Sequence, residues 1–160
     1  MKHLIKKIVI VGGRAAGPAA AAKASRENPE AEITMIEAGK YISTGTCELP
    51  YLLSEEIKSA NELVFGTPGS FLSQYNTKVL LETKVLSINR RLRTIEVVKG
   101  EVKYTLDYDR LVLATGSKHR IDPLFSPALK NVFYVKSIEE IEYLLANSER
   151  TKKKWCVVGA

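Results

Sequence analysis

The sequence predicts a mixed α/β domain in which a parallel sheet carries a small inserted antiparallel meander. Three observations indicate this class. A glycine-rich turn at residues 12–17 joins a β-branched apolar run to an alanine-rich stretch, which is the order strand, turn and helix. A second apolar run at residues 32–36 completes a strand–helix–strand unit. Further along the chain, short β-rich runs separated by turn signals replace the helical pattern.

The first elements follow from composition and periodicity. Residues 4–11 end in a solid β-branched run, typical of a strand buried on both faces of a parallel sheet. The run follows a basic start, but no small-residue cleavage site comes after it, so we interpret it as a strand rather than a signal peptide. Residues 15–27 are rich in alanine, the best helix former, and Pro18 lies in the first turn, where its missing N–H is harmless. Residues 32–36 form the second strand.

The middle of the chain contains two short helices and then a change of period. Pro50 begins one helix, while Thr67 and Pro68 are the N-cap and first residue of another, over residues 67–75. Four β-rich runs follow, and the turn signals between them predict one antiparallel meander. These runs are residues 77–81, 84–89, 94–98 and 101–106.

The last third returns to an α/β pattern. Residues 110–114 predict another buried strand. Residues 137–147 have a helical pattern with Ser137 as the N-cap, and residues 155–158 begin a new strand. We therefore expect a first domain, a connector and the start of a further domain. Their predicted bounds are residues 1–118, 119–136 and 137–160.

The composition excludes several classes of protein. The 160 residues are 45% hydrophobic and 26% charged, which excludes intrinsic disorder. No apolar run reaches the roughly 20 residues of a membrane helix. The net charge of +6 comes without base-reading or aromatic-interleaved motifs, so we expect no nucleic-acid partner. Two cysteines form no disulfide framework, which favours a reducing cytoplasm, and the two histidines show no metal-ligand spacing.

The first motif with chemical meaning is the turn GGRAAG at residues 12–17. It resembles the dinucleotide-binding pattern G-x-G-x-x-G, with Gly12 and Gly17 at the outer positions and Arg14 in place of the middle glycine. Glu37 ends the second predicted strand, about 20 positions further on, where a carboxylate accepts hydrogen bonds from ribose hydroxyls. The turn and the carboxylate together predict a dinucleotide site.

Two further motifs lie later in the chain. Cys47 stands in STGTCELPY, just before the helix that Pro50 begins. A helix N-terminus favours the reactive thiolate, whereas the neighbouring Glu48 opposes its formation, so a reactive thiol and a structural cysteine remain alternatives. The segment YDRLVLATG ends a strand in Thr115 and Gly116, at the edge where α/β sheets bind ligands.

Together these motifs resemble the FAD-dependent pyridine nucleotide-disulfide oxidoreductases. The likeness is greatest to the single-cysteine branch, which holds coenzyme A-disulfide reductases, NADH oxidases and NADH peroxidases. It implies a Rossmann-like FAD-binding half-domain with a parallel sheet and an inserted antiparallel β-meander. It also implies an enzyme that passes electrons from NAD(P)H through FAD to a small-molecule disulfide or to oxygen.

The resemblance implies roles for individual residues. Cys47 would be the catalytic redox cysteine. Arg26 and Ser43 match positions that contact coenzyme A, and Lys23, at a polar position of the family, would help to bind its phosphates. A solvated helix face remains the alternative for Lys23 and Arg26. The implied cofactor-binding residues are Gly12, Gly13, Ala16, Gly17, Glu37, Val85, Thr115 and Gly116.

Three departures from the family pattern limit the implied activity. Thr46 replaces the usual asparagine before the cysteine, and Glu48 replaces a small residue after it. The chain ends in WCVVGA, which resembles the opening of the NAD(P)H-binding fingerprint. We therefore expect NAD(P)H to act only in a full-length relative and the 160-residue chain to be inactive alone. The rival interpretation is a non-catalytic dinucleotide-binding or self-associating fragment with an incomplete FAD site. A homodimer in solution would favour this interpretation.

Overall fold

The structure, a computed structural model, describes residues 6–129, 131–148 and 154–158. The first two residues of the predicted first strand, and the glycine and alanine at positions 159 and 160, lie outside the described residues. The chain forms two compact units. The first contains Met1–Gly45 and Leu63–Ser117, and the second contains Thr46–Glu62 and Lys118–Ala160.

Nine strands and four α-helices occur in the described parts of the chain. The strands are β1 (Lys7–Val11), β2 (Glu32–Ile36), β3 (Ile42–Thr44), β4 (Val64–Gly66), β5 (Thr77–Leu80), β6 (Thr83–Asn89), β7 (Thr94–Lys99), β8 (Val102–Asp107) and β9 (Arg110–Leu113). The helices are α1 (Ala16–Glu27), α2 (Leu49–Leu53), α3 (Pro68–Tyr75) and α4 (Ile138–Asn147).

A four-stranded parallel sheet forms the centre of the first unit, in the spatial order β5-β2-β1-β9. Its apolar side chains point alternately to two faces, so each face has its own core. One face packs against α1, and this core includes Ile10 and Met35, both fully buried, with Ala21 from the helix. The parallel sheet and the α/β class are therefore confirmed.

The other face of the sheet is covered by an antiparallel meander, β6-β7-β8. Ile95 and Val97 of β7 are fully buried in the same core as Val9 and Val11 of the sheet. Apolar residues alternate along β7 because one of its faces is buried and the other faces solvent. The predicted inserted meander is confirmed in this three-stranded form.

The prediction that residues 77–81 belong to the meander is wrong. The strand formed there, β5, pairs in parallel with β2 at the edge of the main sheet. The chain then turns through Glu82, which has a left-handed φ of 52°, before β6 begins. A short apolar run has the same composition in either sheet, so only the turn separates the two assignments.

Two helix starts occur where the sequence predicts them. Thr67 and Ser70 form a reciprocal cap on α3, in which the Thr67 hydroxyl accepts from the Ser70 N–H (3.1 Å) and the Ser70 hydroxyl accepts from the Thr67 N–H (2.9 Å). In the second unit, the Ser137 hydroxyl accepts from the Glu140 N–H (3.3 Å) at the start of α4. The Thr67 and Ser137 hydroxyls each accept from an N–H group that the helix itself leaves unpaired.

Two strand predictions near the end of the chain need correction. β9 is not buried: β1 is its one described neighbour, and Leu113 is 60% exposed. Residues 154–158 form no strand, and Val157 is 87% exposed. An apolar run becomes a strand only where a neighbour pairs its N–H and C=O groups, and no described strand pairs with this one. Within the described residues, no helix is both long and apolar enough to cross a membrane.

Candidate functional site

The glycine turn packs directly against the ends of its neighbouring strands. Gly12 has a left-handed φ of 110°, and a Cβ placed on it would lie 2.1 Å from the carbonyl oxygen of Ala114. A Cβ on Gly17 would lie 1.7 Å from the carbonyl oxygen of Gly12. Both positions therefore require glycine, one for the approach to β9 and the other for the approach of α1 to the turn.

The N-terminus of α1 opens onto this turn. Its N-cap is Ala15, which makes no side-chain capping bond, and the first turn contains no acidic residue. Ala15 and Ala16 are exposed. The first N–H groups of a helix carry partial positive charge, and here no side chain caps them, which suits a phosphate group.

Glu37 follows β2 and lies beside the turn with only 9% of its surface exposed. One carboxylate oxygen, Oε2, accepts from the Gly13 N–H at 2.7 Å. The other, Oε1, accepts from the Gly39 N–H at 2.8 Å. A carboxylate has about four lone-pair positions, so both oxygens retain capacity to accept from the hydroxyls of a ribose.

The parallel pairing brings most of the predicted cofactor residues to one edge of the sheet. β1 ends beside both β2 and β9, with Val11 paired to Ile36 and to Leu113. Gly12, Glu37 and Thr115 each follow one of these strand ends, so all three lie at the carboxyl edge, where open α/β sheets bind ligands.

Val85, Thr115 and Gly116 have different surroundings. Val85 is half-buried in β6, opposite Val97 and beside a bulge in the strand pairing. Thr115 and Gly116 are exposed, and Gly116 has a φ of 67° with open space around it. An exposed glycine with free space allows close approach of a ligand to the backbone.

The three residues assigned to coenzyme A by resemblance are not equivalent. The Ser43 N–H donates to the carbonyl oxygen of Gly13 (2.7 Å), so Ser43 lies against the turn. Its φ of 51° costs a residue other than glycine about 1–2 kcal/mol. Lys23 and Arg26 are exposed on α1, and the Lys23 ammonium pairs with Glu27 (2.6 Å) one helical turn away.

Cys47 belongs to the second unit, in a single 3₁₀ turn over Thr46–Glu48. The predicted helix after it is present as the five-residue α2, which begins one residue before Pro50. Cys47 is exposed and in no disulfide, as is Cys156. Glu48 follows it, and the buried Oε2 of this carboxylate has no hydrogen-bond partner.

Sequence reasoning missed two residues of the Glu37 environment. Gly39 supplies the second N–H to the carboxylate, and its carbonyl oxygen accepts from the Glu82 N–H (3.0 Å). Ile42 fills the space beside Gly13, since a Cβ added to Gly13 would lie 2.6 Å from the Cγ2 atom of Ile42. The available signal was the run Glu-Ala-Gly after β2, because a glycine two residues after a carboxylate allows a tight return. Over residues 6–129, 131–148 and 154–158, no three His, Cys, Asp or Glu side chains cluster as metal ligands.

A comparison with protein-family models identifies the family of this fold and site. The model described as "Pyridine nucleotide-disulphide oxidoreductase" matches residues 6–160. The chain belongs to the pyridine nucleotide-disulphide oxidoreductase family. Members of this family depend on FAD and NAD(P)H.

Curated relatives in this family are much longer than the chain. An NADH oxidase of Methanocaldococcus jannaschii is 33% identical over 156 residues, covering 96% of this chain and 35% of the relative. A coenzyme A disulfide reductase of Staphylococcus epidermidis is 27% identical over 158 residues, covering 98% of this chain and 36% of the relative. The chain therefore spans about a third of the length of these oxidoreductases.

Solved structures in the family share the fold. Reduced Bacillus anthracis CoADR-RHD superposes with a TM-score of 0.84 at 28% identity, over 95% of this chain and 28% of that protein. An NAD-dependent persulfide reductase of A. fulgidus gives a TM-score of 0.81 at 34% identity, over 88% of this chain and 26% of that protein. The chain is thus similar in fold to about a quarter of each of these two proteins.

Proposed function

We propose that this chain binds the adenosine and pyrophosphate part of FAD at the carboxyl edge of its parallel sheet. The observation that carries the proposal is the buried Glu37 carboxylate beside the uncapped N-terminus of α1. The carboxylate accepts hydrogen bonds from the ribose, and the helix N-terminus receives the pyrophosphate. Val85 contacts the adenine through its backbone, while Thr115 and Gly116 lie along the flavin nucleotide.

The turn supports this placement sterically. Gly12, Gly13 and Gly17 let the turn fold tightly, because a Cβ on each would overlap protein atoms, and the exposed Ala15 and Ala16 place only methyl groups at the N-terminus of α1. A pyrophosphate is therefore able to approach the N–H groups closely. The chemistry that FAD supplies when bound is transfer of an electron pair from NAD(P)H, and we assign the use of NAD(P)H to the full-length protein.

We propose Cys47 as the redox residue of that full-length protein. Its thiolate attacks one sulfur of a small-molecule disulfide, so that a new S–S bond forms to Cys47, the old S–S bond breaks and the other sulfur leaves as a thiolate. With oxygen as the acceptor, peroxide formed by two-electron reduction of oxygen would oxidise the thiolate instead: an S–O bond forms, the O–O bond breaks, and the second oxygen leaves as hydroxide, which gives a sulfenic acid. The exposed position of Cys47 supports access by either acceptor.

Coenzyme A disulfide is the disulfide that the relatives favour, because a coenzyme A disulfide reductase covers 98% of this chain in alignment. Ser43 supports the assignment by its place against the glycine turn. Arg26 is exposed on α1 and available to a phosphate group, while Lys23 first has to exchange its Glu27 partner. Two exposed free cysteines suit a reducing compartment, so we propose the cytoplasm.

A second candidate is a self-associating module without catalysis. The observation that favours it is the edge of β9, which has no described neighbour on one side and exposes 60% of Leu113. Open strand edges with apolar side chains pair readily with other chains. A homodimer that binds no flavin would favour this candidate.

The FAD proposal is tested by titrating the purified chain with FAD and recording the visible flavin spectrum after desalting. The informative variant is Ala16→Glu, with Ala16→Gln as the control of similar size. A carboxylate at a helix N-terminus favours the helix by about 0.3–1 kcal/mol but repels a pyrophosphate. We expect Ala16→Glu to weaken FAD binding about tenfold relative to Ala16→Gln, without loss of stability.

Two results would contradict the proposal. If Ala16→Glu and Ala16→Gln bind FAD with equal affinity, the pyrophosphate does not bind at the N-terminus of α1. A wild-type chain that binds no FAD at saturating concentration would refute FAD binding by this chain, and a dimeric mass would then support self-association.

A further inference from the structure

We propose that Glu37 is the positioning residue of the glycine turn and of Ser43, in addition to its proposed contact with ribose. The effect on FAD affinity rests on the proposed function, whereas the positioning exists in the cofactor-free chain. The inference starts from the two hydrogen bonds that the carboxylate makes within the protein, to the N–H groups of Gly13 and Gly39.

The two bonds join segments that are far apart in sequence. Gly13 and Glu37 are separated by 24 residues, and their bond is buried. Gly39 lies in the connection between β2 and β3. One carboxylate thus links the end of β1 to the segment after β2, and charge-assisted bonds to backbone N–H groups are about twice as strong as neutral ones.

The backbone of Glu37 adds a third segment. Its N–H donates to Leu80 O (2.9 Å), and its carbonyl oxygen accepts from the Thr83 N–H (3.0 Å). These partners stand at the end of β5 and the start of β6, the strand that carries Val85. Glu37 is therefore held firmly by its main chain, which gives its side chain a fixed base from which to hold the turn.

Gly13 transmits this constraint to Ser43. While its N–H is bound by Glu37, its carbonyl oxygen accepts from the Ser43 N–H at 2.7 Å. Gly13 is also tightly enclosed, since a Cβ there would lie 2.6 Å from Ile42 Cγ2 and 2.9 Å from Glu37 Cβ. The left-handed backbone of Ser43 persists only if neighbouring contacts hold it, and the bond to Gly13 is one of them.

The chemical consequence is a coupling between two proposed binding residues. Glu37 meets the ribose of the cofactor, and Ser43 stands at the position that resembles a coenzyme A contact. Glu37, Gly13 and Ser43 are connected by two hydrogen bonds of 2.7 Å. Loss of the Glu37 carboxylate should therefore loosen Ser43 even when no ligand is present.

The first test is amide hydrogen exchange measured by NMR in the chain without FAD. In the wild type, we expect the amides of Gly13, Gly39 and Ser43 to exchange at least about tenfold more slowly than the open Gly116 amide. Exchange as fast as that of Gly116 would overturn the proposal, and this result does not depend on any variant folding.

The second test compares Glu37→Gln with Glu32→Gln, an exposed glutamate at the start of the same strand. Glutamine keeps the shape but turns one acceptor into a donor, so Gly13 or Gly39 loses its partner. We expect exchange about tenfold faster at that glycine and faster exchange at Ser43, with the buried Ile10 amide unchanged. Unchanged exchange at both glycines and at Ser43 would overturn the proposal.

The third test separates positioning from the ribose contact. FAD and an analogue whose adenosine ribose lacks both free hydroxyls are titrated into the wild type and into Glu37→Gln. If Glu37 also positions the turn, the variant binds the hydroxyl-free analogue more weakly than the wild type does, by about tenfold. If the wild type and Glu37→Gln bind the analogue with equal affinity, Glu37 acts on binding only through the ribose contact, and the positioning effect on binding is refuted. Failure of FAD to bind at all would refute the proposed function, while the exchange results would still decide the positioning role.

Discussion

The glycine turn and the Cys47 segment carry the two halves of the proposed chemistry, and they are built differently. The turn is enclosed: Gly13, Gly17 and Glu37 are buried, and a Cβ would lie 2.6 Å from the nearest protein atom at Gly13 and 1.7 Å from it at Gly17. Cys47 is exposed in a single 3₁₀ turn before a five-residue helix. A Cβ added at Gly12, Gly13 or Gly17 would overlap protein atoms, whereas the Cys47 side chain is exposed to solvent.

This difference shows which parts of the sequence specify the structure of each site. A cofactor turn is specified by its own strand, helix and glycines, so it forms within one compact unit. A redox cysteine needs a defined environment for its thiolate, and a single short turn contributes little of it. The family relatives, about three times as long, supply much additional chain.

The largest expected effect breaks the enclosed region. Gly12→Ala adds a Cβ 2.1 Å from the Ala114 carbonyl oxygen at a φ of 110°, so overlap and backbone strain combine. We expect a loss of about 3–5 kcal/mol in the free energy of unfolding, measured by urea denaturation. The control is Gly69→Ala on α3, where the nearest atom would be 3.9 Å away and where alanine should stabilise by up to about 1 kcal/mol. Similar losses in both variants would show that the turn is not tightly enclosed.

An intermediate effect compares one helix cap from each unit. Thr67→Ala removes the 3.1 Å bond of a reciprocal cap, while Ser137→Ala removes a single 3.3 Å bond. We expect thermal denaturation to show losses of about 1 kcal/mol and about 0.5 kcal/mol, respectively. Ser73→Ala, an exposed hydroxyl on α3, should change stability by less than either. A larger loss for Ser137→Ala would reverse the ranking.

The smallest effect sharpens the comparison at Cys47. α2 begins two residues after this thiol, whereas Cys156 lies in a segment without helix or strand. The N–H groups of the helix carry partial positive charge while the neighbouring Glu48 carboxylate is negative, so we expect only about a twofold faster alkylation of Cys47. Iodoacetamide kinetics on the Cys47→Ser and Cys156→Ser variants, followed by mass spectrometry, measure each thiol separately. Equal or reversed rates would contradict a reactive Cys47.

Local signals predicted much of the fold. The β2 range is the predicted 32–36, and the cap at Thr67 and the helix after Ser137 lie where side-chain chemistry requires them. These features depend on residues within a few positions of one another. The three wrong assignments concern strand pairing, edge position or burial, which are properties of the neighbouring strands and not of the apolar run itself. Residues 77–81 contain a strand that pairs with β2 and not with the meander, and β9 is an edge strand. Residues 155–158 pair with no described strand.

The candidate site divides in the same way. Glycine spacing and the place of Glu37 after a strand predicted that the turn and the carboxylate lie together at one edge of the sheet, since both follow from the geometry of the strand–helix–strand unit. The hydrogen bonds that the Glu37 carboxylate accepts from the Gly13 and Gly39 N–H groups were not predictable from the sequence. The run Glu-Ala-Gly signals the return of the chain through Gly39, but the direction of the Glu37 side chain does not follow from spacing.

The pairing of β1 with β9 has a consequence for synthesis of the chain. The Lys7 N–H reaches Asp109 Oδ2 across 102 residues, so the central strand of the sheet gains its last neighbour very late. At about 5–20 residues per second, a ribosome needs roughly 5–20 s to make the intervening segment. During that interval the nascent chain presents one open flank of β1 to its surroundings. Chaperone contact with the growing polypeptide should therefore concentrate on Ile8–Val11 until β9 emerges.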